Sequence, residues 1–169
     1  FICIDDKTNN ELIKFIKNKN IITYGTNIKS NFWIKNIKQN INYSEFDLQI
    51  NVPNKKKMIL KKIRIPLLGI HNVKNSAAAA AVSMTIGISF SDIKDGLKSF
   101  KGVQRRFNKI FSYNGIDFYD DYAHHPTEIK VVLEGVNKVY KDFEKICIFQ
   151  PHRISRLRDL RKEFSLAFK

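Results

Sequence analysis

Cysteine is nearly missing from this 169-residue chain. The two present, Cys3 and Cys147, each sit inside an apolar run and read as buried, reduced thiols. Such sparse cysteine excludes a disulfide scaffold and a cysteine-based zinc site. It makes the cytoplasm the expected compartment. A membrane span needs about 20 consecutive apolar residues, and no such run exists. The longest, SAAAAAVSMTIGISF, is rich in small residues and reads as a buried helix. At the N-terminus FICIDDKTNN reads as a strand with no basic region before it, so no secretory signal is expected. No internal repeat, low-complexity tract or G-x-x-x-x-G-K-S/T phosphate loop occurs either.

Positive charge is abundant. Thirty Lys and Arg stand against 16 Asp and Glu, a formal net charge of +14. Excess of this kind can serve nucleic acid, membrane surfaces or polyphosphates. Here the lysines are scattered among Asn and Ile along the whole chain, which reads as a solvated surface. A nucleic-acid-binding module would need an organised basic face with exposed aromatics. Most aromatics here fall in strand or helix patterns that read as core. No nucleic-acid or membrane partner is therefore expected.

The pattern divides the chain in two. FICIDD reads as a strand, and NNELIKFIKNK as a helix with Leu12, Ile13, Phe15 and Ile16 on one face. IITYG, NFWIKNIKQ, YSEFDLQINV and KKMILKKIRIPL read as mostly antiparallel strands, with VPNKKK a hairpin-type turn whose run Lys55 to Lys57 is a solvated tip. The alanine-rich segment from Asn72 to Ile86 reads as a closely packed helix capped by Gly87. SFSDIKDGLKSF reads as another helix, with Ser91 the candidate N-cap. A boundary is placed at KGVQRRF, giving segments 1–104 and 105–169. Beyond it, two strands flank an Asn114–Gly115 turn, and Pro126 opens a helix to about Tyr140. EKICIFQP reads as a buried strand and RISRLRDLRKEFSLAFK as one helix. This order describes the first half of a Rossmann-like α/β sheet, which takes ligands at the C-terminal ends of its strands.

Four motifs carry chemistry. In GIHNVKN, Asn72 and Asn75 share a helix face. An Asn amide can both accept from and donate to adenine, and it can equally cap a helix start. In KGVQRRF, Arg105 and Arg106 suit phosphate, or form a charged linker. In DFYDDYAHHPTEI, Asp120 and Asp121 end a strand where a carboxylate can accept from ribose hydroxyls. His124 and His125 precede a helix start that favours anions. Adjacent histidines lack the i, i+4 spacing of a helical metal pair, so no metal ligands are assigned. In QPHRISRLRDL, His152, Arg153 and Arg156 gather at the next strand end as a phosphate or carboxylate receptor. The competing reading pairs these arginines with Asp159 and Glu163. Together the motifs suggest a cleft between two domains that holds a nucleotide and a second anion.

GIHNVKNSAAAAAV, SFKGVQRRF, DDYAHHPTEI and FQPHRISRLRDL, in this order and with CIDD near the start, resemble the Mur ligase family of peptidoglycan synthesis. The resemblance implies the end of a central ATPase domain, built of strands plus two helices, followed by the start of a Rossmann-like C-terminal domain. It implies ATP-dependent joining of L-alanine to UDP-N-acetylmuramate through an acyl phosphate. A tripeptide-recycling ligase of the same family is the nearest alternative. It places Asn72 and Asn75 at adenine, Arg105 and Arg106 near the phosphates, and Asp121 at ribose. Tyr122, His124, His125, His152, Arg153 and Arg156 face the muramoyl substrate or the amine, with His124, Arg153 and Arg156 carrying the chemistry. ATP and Mg2+ are implied, the phosphate loop and metal ligands being expected upstream of this piece. Ile70 stands where many relatives carry arginine.

Overall fold

The computed structural model describes residues 1–17, 20–53 and 56–168. The chain splits into two compact units, Phe1–Lys101 and Gly102–Lys169.

Unit 1 is a five-stranded sheet with three helices. Its strands are β1 (Ile2–Cys3), β2 (Thr23–Gly25), β3 (Phe32–Gln39), β4 (Ser44–Ile50) and β5 (Met58–Ile65), in that spatial order. The helices are α1 (Lys7–Phe15), α2 (Ile70–Thr85) and α3 (Phe90–Ser99). β3, β4 and β5 form the expected antiparallel meander, whereas β1, β2 and β3 run parallel. The β1–β2 connection carries α1, the kind of crossover that parallel strands require. Between β2 and β3 the Asn31 amide oxygen accepts from Thr23 N and Oγ1 at 2.9 and 3.0 Å, and so supplements a ladder of two residue pairs.

The core lies between this sheet and α2. Strand β4 alternates strictly, burying Ser44, Phe46, Leu48 and Ile50. From α2, Val73, Ala77, Ala80 and Ala81 are fully buried at helical spacing. A stripe of mostly alanine lets the helix lie close to the sheet. The helix ends in a Schellman motif: Gly87 N donates to Met84 O and Ile88 N to Ser83 O, with Gly87 at φ 90°.

Two expectations in unit 1 need correction. The N-cap of α3 is Ser89, not Ser91: its Oγ accepts from Asp92 N at 3.2 Å and donates to Asp92 Oδ2 at 2.6 Å. The capping-box spacing runs from Ser89 to Asp92, which leaves Ser91 inside the first turn. Helix α1 forms where expected, with Ile13 half-buried and Leu12 and Phe15 exposed. It is tied down by Asn9 and Asn10, whose amides donate to Cys3 O and Ile4 O at 3.0 and 2.9 Å. Helix α2 starts at Ile70, two residues before the expected Asn72. The tip of the VPNKKK turn at Asn54 and Lys55 lies outside the described residues.

Unit 2 opens with the hairpin β6 (Asn108–Tyr113) and β7 (Ile116–Asp120). Asn114 and Gly115 both have positive φ, 49° and 77°, as a tight primed turn demands. Helix α4 (Pro126–Val139) follows, then α5 (Ile154–Asp159) and α6 (Arg161–Ala167). The expected single last helix is thus two, broken at Leu160 with φ −114° and ψ 29°. A small core joins Ile129, Phe164 and Ala167 with Leu133, Phe149 and Leu160.

The segment EKICIFQP is not the expected buried strand. No described segment pairs with it, and Ile146 and Ile148 are 84% and 94% exposed. A strand exists only through its ladder; without a neighbour its backbone groups bond to water and its apolar side chains stay uncovered. Phe149 alone finds cover, its ring 5.8 Å from that of Phe164. The buried-thiol reading falls with the strand, since Cys147 is exposed while Cys3 is half-buried; both are free. Among the described residues no helix is long and apolar enough to cross a membrane.

Candidate functional site

In unit 1 the candidate residues sit on the first turns of α2. The N-cap is Gly69, at φ 89°, which brings no side chain to the task. Gln39 substitutes: with its amide oriented to satisfy both groups, its carbonyl accepts Gly69 N–H and Ile70 N–H at 2.9 and 3.2 Å. The first N–H groups of α2 are thus satisfied by a residue other than the asparagines. Asn72 donates its amide to Leu68 O at 2.7 Å, which fixes the side chain and leaves its carbonyl oxygen available. Asn75 is exposed one turn further on. Two carboxamides with a turn between them can read a flat heteroaromatic edge.

In unit 2 the candidate residues gather around the start of α4. Asp121 accepts Phe107 N–H on Oδ2 at 2.8 Å and Ala123 N–H on Oδ1 at 2.7 Å. It thus pins the 105–107 segment to the end of β7, while each oxygen keeps a lone pair for a hydroxyl. Arg105 is exposed and anchored locally through one nitrogen. Its Nε meets Asp120 Oδ2 at 3.1 Å, and its guanidinium lies 4.8 Å from the Tyr122 ring centre. Arg106 is exposed, and its backbone N–H donates to Asn108 Oδ1 at 2.7 Å. Tyr122 in turn meets the His124 ring edge-on at 5.0 Å.

The two histidines are held in different ways. His124 Nδ1 lies 2.9 Å from Tyr122 O. A carbonyl only accepts, so that nitrogen carries a proton, and in the neutral ring Nε2 keeps its lone pair. His125 Nδ1 accepts from Thr127 N at 3.3 Å, which leaves its proton on Nε2. Glu128, from the first turn of α4, closes a capping box by accepting His124 and His125 N–H at 3.1 and 3.2 Å. Burial alone would raise the Glu128 pKa, but those two N–H donors outweigh it, and the nearby His124 and Arg106 add to their effect. The carboxyl titrates below its ordinary range. Its contribution to stability is present above the unfolded-state value and is lost as pH falls through the lowered one.

Arg156, half-buried, donates from Nη1 to His124 O at 3.3 Å and so ties α5 to the His124 turn. Arg153 and His152 are exposed. Arg153 occupies the N-cap of α5 at φ 66°, a region uncommon for a side chain of its size. Among the described residues no group of three or more His, Cys, Asp or Glu could hold a metal ion. Unit 2 thus unites Arg105, Asp121, Tyr122, His124, His125 and Arg156. Glu128 escaped the reading of single site residues, although the spacing from His125 to Glu128 behind Pro126 is a capping signature. The Gln39 cap had no local signal at all.

Two family descriptions match: the Mur ligase middle domain over residues 1–83, and the Mur ligase glutamate ligase domain over 105–168. A UDP-N-acetylmuramate–L-alanine ligase of Pelagibacter ubique is 66% identical over the whole chain, which covers 36% of that relative. One from Rhizobium johnstonii is 40% identical over 99% of the chain, again covering 36% of the relative. The chain therefore spans about a third of the length of these curated relatives. A solved UDP-N-acetylmuramate-alanine ligase from Thermotoga maritima is 27% identical with a TM-score of 0.71, covering 88% of this chain and 32% of that one. With matches to both a middle and a C-terminal domain of one family, in the family's order, the chain belongs to the Mur ligases.

Proposed function

We propose that this chain forms part of an enzyme that joins L-alanine to UDP-N-acetylmuramate at the expense of ATP, in the cytoplasmic synthesis of a peptidoglycan precursor. In this reading residues 1–104 complete the central nucleotide-binding domain, and 105–169 open the C-terminal domain. The observation that carries it is the gathering of Asp121, Tyr122, His124 and Arg156 at the start of α4, in a chain 66% identical to a ligase of that name.

Asn72 and Asn75 hold adenine, Asp121 the ribose, and Arg106 with Arg105 the phosphates. Arg153, Arg156, His152, His125 and Tyr122 receive the muramoyl substrate and the incoming amine. The substrate carboxylate attacks the γ-phosphorus of ATP and ADP leaves, giving an acyl phosphate. The amine nitrogen then attacks the acyl carbon, and phosphate departs from a tetrahedral intermediate while the amine loses a proton. His124, its Nδ1 engaged by Tyr122, has Nε2 left to take that proton. Arg153 and Arg156 neutralise charge on the acyl phosphate and on the oxyanion that follows. Magnesium belongs to the family's chemistry. The described residues offer no group of three or more His, Cys, Asp or Glu to hold it.

Trapping tests the intermediate. The full-length protein with ATP, magnesium and UDP-N-acetylmuramate, given hydroxylamine in place of amino acid, is expected to form the muramoyl hydroxamate. ADP without hydroxamate would contradict an acyl phosphate.

A further inference from the structure

The start of α2 is held by a carboxylate far from it in sequence. Asp5, in the loop after β1, has a side chain only 11% exposed. It accepts from Lys74 Nζ at 2.8 Å, Thr26 N at 2.9 Å, Thr26 Oγ1 at 3.0 Å and Asn27 N at 3.2 Å. Burial alone would raise its pKa, but the Lys74 and Thr26 bonds outweigh it, and the carboxyl titrates below its ordinary value. The fit is close enough that a Cβ on Gly25, at φ 150°, would lie 2.5 Å from Asp5 Oδ1.

Lys74 is the one Lys, Arg, Asp or Glu in α2. It stands between Asn72 and Asn75 in sequence, so any rotation of the helix about its axis moves all three together. Most of the face that α2 buries is alanine, at 77, 80 and 81. Such a face fills space but offers few knobs to fix rotation or slide against the sheet. A directional polar pair supplies that registry. We propose that the Asp5–Lys74 pair is a positioning device for the nucleotide base, setting the rotation of α2 and hence where Asn75 reaches. This rests on the assignment of Asn72 and Asn75 to adenine.

The test uses the full-length protein, with ATP and GTP as alternative substrates. Lys74→Met is expected to raise the KM for ATP about ten-fold with kcat held within about two-fold, as loss of binding shared by ground and transition states requires. The preference for ATP over GTP is expected to fall in step. Lys74→Arg, which keeps a cation in reach of Asp5, is expected to retain both. Should Lys74→Met not fold, Lys74→Gln is read instead, with a smaller rise in KM expected. Asn75→Ala separates the two layers of the reading. A raised KM for ATP in Asn75→Ala, with Lys74→Met unchanged in KM and base preference, would overturn the positioning role alone. An unchanged KM in Asn75→Ala would overturn the adenine assignment, and this inference with it.

Discussion

Replacing Arg153 with alanine in the full-length protein is expected to lower kcat/KM about 10²- to 10³-fold, with little change in melting temperature. The size is the one expected from the proposed role of Arg153, a preorganised cation at an oxyanion or phosphate site. The small stability cost follows from geometry. Arg153 is exposed at the first position before α5, and alanine inherits its backbone without losing any buried contact. Lysine should rescue only in part, because a point charge cannot hold phosphate with a planar fork. Arg156 differs. It is half-buried and donates to His124 O, so Arg156→Ala should lower activity and stability together. A variant at Arg153 with normal kinetics and a depressed melting temperature would show its side chain to be a helix-surface residue.

Phe46→Ala is expected to destabilise the full-length protein by about 3–5 kcal/mol, measured as a lowered urea midpoint. Phe46 is fully buried on β4, the strand that pairs with both β3 and β5. Its ring lies in the same core cluster as Val73 and Ala77 of α2, so truncation opens a void beneath the helix that carries the asparagines. Against a typical stability of about 5–15 kcal/mol, that loss is a large share. Phe15→Ala is the internal control. That ring is 80% exposed, and its removal should change stability by no more than about 0.5 kcal/mol. A loss below about 1 kcal/mol for Phe46→Ala would contradict the placement of the core.

What was legible in the sequence was what depends on near neighbours. The alternation of β4, the Asn114–Gly115 turn, Pro126 at the start of α4 and Gly87 at the end of α2 each act within a few residues. Signals with two local solutions were read less well. Ser89 and Ser91 are both good caps, and the partner three residues on decides between them. What depends on distant partners was not legible. EKICIFQP has the apolar content of a buried strand, but nothing in the segment says whether a neighbour pairs with it. Within the candidate site, the sequence pointed to side chains that would face a ligand. Of those that hold them, Glu128 beneath the two histidines had a local capping signal, whereas Gln39 at the start of α2 had none, nor had Asp5, separated by 69 residues from Lys74 (74 − 5) yet 2.8 Å away. Asp121 shows the same division. Its position at a strand end was readable; its bond to Phe107 N–H was not.

The most direct measurement is phosphate release by the full-length protein supplied with ATP, magnesium and UDP-N-acetylmuramate, with either L-alanine or a muramoyl-type tripeptide as the amine. Release that requires L-alanine, together with UDP-N-acetylmuramoyl-L-alanine as product, is the predicted result. Release with the tripeptide alone would assign the chain to the recycling branch of the family. Absence of release with both would contradict the ligase reading itself.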